Sequence, residues 1–253
     1  MDVQITYGDG TVKLDIPEKN LAGVIEPKPS QTTSDVQGGI ERVLDNPHGP
    51  HLSEISKSKS VCVLVEDHTR DVPHWDMLSA VVPRLKDANH VQFIITTGSH
   101  VVNHPNNLEI VEMIKRAAED SKISNYDVMI HDCQSPDMKD LGKTTRGTPI
   151  IVDAAAVGHD VYVSLSDMKA HYFAGYSNVV KNFLPGVCAF KTIEANHSLA
   201  LNPHSTFGLH PFHPDEDRHD NPLADDMREA MNIIAQGAKV FSVAIVTSNR
   251  KLV

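Results

Sequence analysis

From residue 60 the chain adopts a rhythm in which short, wholly apolar runs alternate with amphipathic stretches of helical period. A strand with one wet face alternates apolar and polar residues, so a strand apolar at every position is buried on both faces. That condition is met in a parallel sheet covered by helices on each side. The pattern predicts strands over 61–65, 91–96, 127–130, 161–165 and 240–246, and helices over 73–85, 107–118 and 223–236. The fold class expected is therefore α/β, a Rossmann-like and mostly parallel sheet with helices on both faces.

Ahead of this core, residues 3–7 and 11–16 alternate about Gly8-Asp9-Gly10 and read as a β-hairpin ended by Pro17. Residues 22–33, with Pro27 and Pro29, read as a connector to a helix capped by Ser34 and running to about Leu44; Asn46, Pro47 and Gly49 then break the chain. The expected organisation is one domain, 1–253, with 1–59 as hairpin, connector and first helix and 60–253 as the core. Past the last strand, residues 248–251 read as a turn and Leu252-Val253 as the start of a returning strand. An unpaired hairpin half suggests a polypeptide that continues.

Composition removes several functions. With 23 Lys and Arg against 33 Asp and Glu, the net charge is −10, and aromatics are 5%; neither suits a surface for phosphate backbones or stacked bases, so no nucleic-acid partner is expected. The apolar runs fall far short of the roughly 20 residues of a membrane span. The N-terminal residues lack the basic and apolar regions of a secretory signal, which makes a cytoplasmic location the default expectation. Cys62, Cys133 and Cys188 form no close pair, so neither a disulfide framework nor a cysteine zinc cluster is indicated. Fifteen histidines, a residue that titrates near neutrality and binds metals, direct attention to proton-transfer or metal chemistry.

Ligands of an open parallel sheet bind beyond the carboxyl ends of its strands, and four places there stand out. After the first core strand comes Glu66-Asp67-His68-Thr69-Arg70-Asp71, a carboxylate, hydroxyl and guanidinium at one strand end, which also suits an ion pair and a helix cap. After the second comes Thr96-Thr97-Gly98-Ser99-His100; His104 on the next loop reads as structural or exposed. The third, residues 166–186, is too densely punctuated by Gly, Ser and Pro for a regular helix and reads as an ordered loop, with His171 a proton carrier and Lys181 an anchor for a cofactor. The fourth, residues 191–197, is a short helix ending in His197, whose ring could ligate a metal such as nickel. The polar loop 204–220 carries His204, His210, His213 and His219 and reads as a solvated loop or an incidental metal trap.

Asp67-His68-Thr69-Arg70, Thr97-Gly98-Ser99-His100, the span 171–186 and Thr192 to His197 together resemble the nickel-dependent lactate racemase family, over about residues 60–236. That is most of the first of the family's two domains; the second, C-terminal domain is absent from these residues. The resemblance implies a nickel-pincer nucleotide, covalent at Lys181 and ligated through nickel by His197. It implies cofactor contacts from Asp67, His68, Thr69 and Arg70, with Arg70 also meeting a substrate carboxylate, and His100 and His171 as the catalytic acid/base pair. The activity implied is racemisation or epimerisation of a small 2-hydroxy acid: hydride leaves the 2-carbon for the cofactor, a planar 2-keto acid forms, and hydride returns to the other face. Cofactor-maturation enzymes are the implied partners. Val101 stands where the pattern has arginine, and Asn178-Val179-Val180 replaces a glycine-rich stretch, which points to a 2-hydroxy acid other than lactate. Two alternatives are a non-enzymatic nickel-nucleotide binding protein and a histidine-dependent zinc hydrolase, the latter without an HExxH motif.

Overall fold

The computed structural model describes residues 2–8, 10–24, 33, 35–248 and 251–252. The chain divides into two compact units, Met1–Gln31 and Thr32–Val253. The first is the expected hairpin, β1 (Asp2–Tyr7) paired antiparallel with β2 (Gly10–Asp15); Asp9 in its turn, and most of the connector over 22–33, lie outside the described residues.

The second unit opens with α1 (Val36–Asp45), whose cap is Asp35: its Oδ1 accepts from the Gly38 amide at 3.0 Å. The expected cap, Ser34, lies outside the described residues. In chain order there follow α2 (Leu52–Ser56), β3 (Ser60–Glu66), α3 (His74–Val81), β4 (His90–Thr96), α4 (Pro105–Asp120) and β5 (Tyr126–Ile130). The helix expected over 73–85 finishes as a 3₁₀ turn, Val82–Leu85, around Pro83. Then come β6 (Met138–Lys143), β7 (Pro149–Asp153), β8 (Val161–Asp167), β9 (Lys169–His171), β10 (Gly175–Ser177), α5 (Val179–Phe183), α6 (Phe190–Ser198), α7 (Pro222–Ala235) and β11 (Lys239–Ile245). A two-residue antiparallel pair, β12 (Thr247–Ser248) and β13 (Lys251–Leu252), closes the chain. The returning strand thus pairs with β12, while β11 pairs with β8.

The main sheet has the order β11-β8-β3-β4-β5, every neighbour parallel. The chain starts in the middle at β3, steps outward through β4 and β5, then returns to the other side of β3 with β8 and β11. The direction of winding therefore reverses between β3 and β8, which creates a crevice at their carboxyl ends. Alternate residues of each strand feed two cores. Val61, Val63 and Val65 pack with α1, α3 and α4, while Cys62 and Leu64 pack with α5, α6 and α7; all five are at most 1% exposed. Burying a Val or Leu side chain so fully contributes roughly 1.5–3 kcal/mol.

Residues 166–186, read from sequence as an irregular loop, contain regular structure. β9 and β10 form a small antiparallel pair, and α5 follows, started by the Asn178 side chain, which accepts from the Val180 amide at 3.1 Å. Five residues are too few to leave a periodic signature. The antiparallel pair β6–β7 has no counterpart in the expectations either. Among the described residues no helix is long and apolar enough to cross a membrane.

Candidate active site

β3 ends at Glu66, and Asp67 begins the turn into the crevice, with the Arg70 amide donating back to the Asp67 carbonyl at 3.1 Å. The Asp67 carboxylate, 1% exposed, is fully engaged. Its Oδ1 accepts from Thr69 Oγ1 at 2.6 Å and from the Thr69 amide at 3.2 Å, and its Oδ2 accepts from His100 Nδ1 at 2.9 Å. Burial alone would raise this carboxyl, but the hydrogen bonds from His100 and Thr69 outweigh it and hold Asp67 below the usual carboxylate range. With Nδ1–H committed to Asp67, His100 presents Nε2 as a proton acceptor, and its side chain is 42% exposed.

Lys181 reaches the same crevice from α5. Its neighbour Asn182 fixes the helix: Asn182 Nδ2 donates to Ser164 Oγ at 2.9 Å and to the Leu165 carbonyl at 3.0 Å, and its Oδ1 accepts from Thr96 Oγ1 at 3.1 Å. Among the described residues no hydrogen bond or ion pair reaches the Lys181 ammonium. Burial, then the nearby Arg70 charge, lowers its pKa to about 8, against the opposing pull of Asp167 and Glu66. Glu66 is 4% exposed and shifted the other way, to about 8, first by burial and then by the Asp167 charge. Asp167 stays ionised below its usual range despite burial, held by Lys169 and by Ser177 Oγ, which donates at 2.8 Å.

The turns carrying His100 and Lys181 touch through glycines. The Gly98 amide donates to the Gly186 carbonyl at 3.1 Å, and Gly98 has φ +55°. A Cβ on Gly186 would lie 2.2 Å from the Asn182 carbonyl oxygen.

His171 and His197 flank Phe173, with ring centroids 4.4 and 5.4 Å from it. His171 Nδ1 accepts from the Ala174 amide at 3.2 Å, so a neutral ring carries its proton on Nε2. Burial, then the charges of Lys181 and Arg70, lowers His171 to about 4. His197 is lowered too, by burial and then by Lys181, and its Nδ1 is buried without a well-formed hydrogen bond.

Asp67, Arg70, His100 and Lys181 thus line one cleft, with Gly98 and Gly186, and the charges of Lys181 and Arg70 reach His171. His68 stays beside the Asp67 carboxylate, its Nδ1 3.8 Å from Asp67 Oδ2, while its amide and Nδ1 both meet Asn107 Oδ1 at 3.0 Å and its ring stacks on His104 at 3.7 Å. The histidines of loop 204–220 do not form a metal trap, since among the described residues no cluster of His, Cys, Asp or Glu could hold a metal ion. His204 pairs with Asp220, His210 with Asn178 and the Phe212 amide, and His219 with the His213 carbonyl. Sequence reading passed over Glu66, Asp167 and Asn182 as individual participants; their signal was the placement of charge and amide at strand ends.

The family model for the lactate racemase N-terminal domain matches residues 7–208. A lactate racemase from Thermoanaerobacterium thermosaccharolyticum is 27% identical over 227 residues, 85% of this chain and 52% of that protein. One from Lactiplantibacillus plantarum is 28% identical over 204 residues, 78% of this chain and 47% of that protein. The chain spans about half the length of these curated relatives. Among solved structures, a lactate racemase apoprotein from T. thermosaccharolyticum superposes with a TM-score of 0.77 at 24% identity, covering 100% of this chain and 58% of that one. A protein from Thermotoga maritima gives 0.61 at 15% identity, over 86% of this chain and 53% of that one. At such identities the structural likeness concerns the fold.

Proposed function

The chain belongs to the lactate racemase N-terminal domain family, and from that premise we propose that it is the cofactor-binding catalytic part of a racemase or epimerase of a small 2-hydroxy acid. The observation that carries the reading is the Asp67–His100 pair, an oriented proton acceptor at the winding reversal, opening on the cleft that also holds Lys181 and Arg70.

Asp67 accepts Nδ1–H of His100 and keeps Nε2 free to take the proton of a substrate hydroxyl and to return it. Arg70, a planar donor fork beside that imidazole, suits a substrate carboxylate. His171, which feels the charges of Lys181 and Arg70, is the second acid/base. In this chain the cations Lys181 and Arg70 help keep it neutral. Acylation of Lys181 would remove one of these charges.

The residues fit the family's nickel-pincer nucleotide. Among the described residues Lys181 is an amine without a hydrogen-bond or ion-pair partner and with a lowered proton affinity, which suits covalent attachment, and the low proton affinity of His197, a half-buried ring near Lys181, suits an imidazole donor to nickel. When bound, the group would supply a reversible acceptor for hydride from the 2-carbon. Thr69 fixes Asp67, and His68, held by Asn107 with its Nδ1 3.8 Å from Asp67 Oδ2, is the further contact assigned to the cofactor.

The test is to produce the full-length protein with cofactor-maturation enzymes, then to measure intact mass, map peptides, assay nickel and screen 2-hydroxy acid enantiomers. An adduct of nucleotide size on Lys181, about one nickel per chain, and racemisation abolished by His100→Gln are expected. A loaded protein inert toward every 2-hydroxy acid would leave a binding role, and an unmodified Lys181 under these conditions would overturn the reading.

A further inference from the structure

A second histidine and aspartate meet beneath the cleft, where no solvent reaches. His131 follows β5 and is 0% exposed; Asp153 ends β7 and is 3% exposed. His131 Nδ1 lies 3.2 Å from Asp153 Oδ2, and Nε2 lies 3.0 Å from the Cys188 carbonyl oxygen. A carbonyl oxygen only accepts, and a neutral imidazole has only one N–H to offer. Nε2 must therefore carry a proton, and an ionised Asp153 requires one on Nδ1 as well. The other oxygen of Asp153 already accepts the Ala155 amide at 3.1 Å.

The connections of this pair run to both sides of the cleft. The His131 amide donates to the Ile95 carbonyl at 3.0 Å, and the His131 carbonyl accepts Thr97 Oγ1 at 2.6 Å, at the root of the turn that ends in His100. On the other side, the ring holds Cys188 and the Asp153 amide donates to the Val187 carbonyl at 2.9 Å, within the segment whose Gly186 amide donates to the Lys181 carbonyl. The pair joins two direct links between the same segments, the Gly98 amide to the Gly186 carbonyl and Thr96 Oγ1 to Asn182 Oδ1.

We propose that His131, with a proton on both ring nitrogens and paired to ionised Asp153, is the positioning residue that keeps the His100 and Lys181 turns in register. Both N–H groups are needed, because the ring spans from a carboxylate to a carbonyl on opposite edges. A side-chain amide presents its donors from a single nitrogen and cannot reach both. The role in catalysis rests on the racemase reading; the protonation and the register do not.

The test uses the unloaded 253-residue chain labelled with ¹⁵N-histidine and a long-range ¹H–¹⁵N correlation at pH 8, with His131 assigned by its loss in His131→Gln. Two N–H groups are expected for His131, and a single one overturns the proposal. In folded His131→Gln, the His100 ring is expected to pass from a pure Nδ1–H tautomer to a mixture. His90, at the amino end of β4 with Nε2 3.1 Å from Asp127 Oδ2, keeps its signals. A His100 ring unchanged in that variant overturns the positioning role. If His131→Gln does not fold, Asp153→Ala tests the same role: with no carboxylate on Nδ1 the ring is expected to drop to one N–H and, no longer held, to leave the His100 tautomer mixed. Unchanged signals in Asp153→Ala overturn the proposal. Because none of these readouts needs turnover, failure of the racemase reading would appear separately, in the loading experiment.

Discussion

Two histidine–aspartate pairs in this fold make the same bond, Nδ1 to Oδ2, at 2.9 Å for His100–Asp67 and 3.2 Å for His131–Asp153. What separates them is the other nitrogen. In His100 it opens on a cleft; in His131 it is stopped by the Cys188 carbonyl. The carboxylate orients the ring in both, but only a ring with a free second nitrogen can exchange a proton with a ligand. Proximity of His to Asp is therefore a statement about orientation, and reactivity is decided on the ring's far side.

The largest effect that tests this contrast concerns turnover. In loaded full-length protein, His100→Gln is expected to lower kcat/KM by roughly 10²–10⁴-fold, while the urea midpoint stays near that of the parent. If turnover survives, the open pair is not the catalytic one. Asp153→Ala should show the converse: removing one partner of a buried charged pair costs about 3–5 kcal/mol, read by urea unfolding of the unloaded chain. A loss under about 1 kcal/mol would mean that the buried ring is neutral and the contrast shallower than drawn. Gly186→Ala, where the two turns meet, should cost roughly 1–3 kcal/mol by the same measurement, because the new methyl is aimed at the Asn182 carbonyl.

The smallest effect is a pH dependence from Glu66, which lies beside the open pair. Its folded pKa, about 8, is raised above the ordinary 4.5, so its contribution to stability is complete below pH 4.5 and is lost as pH rises through 8. Thermal unfolding of the parent should fall more steeply between pH 5 and 9 than that of Glu66→Gln. Parallel curves would place Glu66 outside the buried acid cluster. His171, lowered to about 4, acts in the other direction: its contribution is present above about 6.5 and is lost as pH falls toward 4.

The sequence made the sheet legible because β3, β4, β5, β8 and β11 carry apolar runs that only a two-sided burial explains. β6 was not legible for the opposite reason: Met138–Lys143 is polar and nowhere fully buried. Its partner β7 belongs to that local pair and lies outside the main sheet. At the site, His100 and Lys181 could be found by their place after a strand and within a distinctive span. His131 also follows a strand, and nothing local tells a ring facing a cleft from one facing a carbonyl 57 residues further along. Asn182 was hidden similarly, since its three partners come from β4 and β8.

The state of Lys181 also bears on how an unloaded chain ages. An amine of pKa about 8 is unprotonated in about a tenth of molecules at pH 7, some 300 times the share of an ordinary lysine. Carbon dioxide, aldehydes and other small electrophiles that enter the cleft meet an amine more often unprotonated than the exposed lysines. Protein kept waiting for its cofactor is thus expected to spoil first at one residue, and the proportion of chains still able to load becomes a clock of their history.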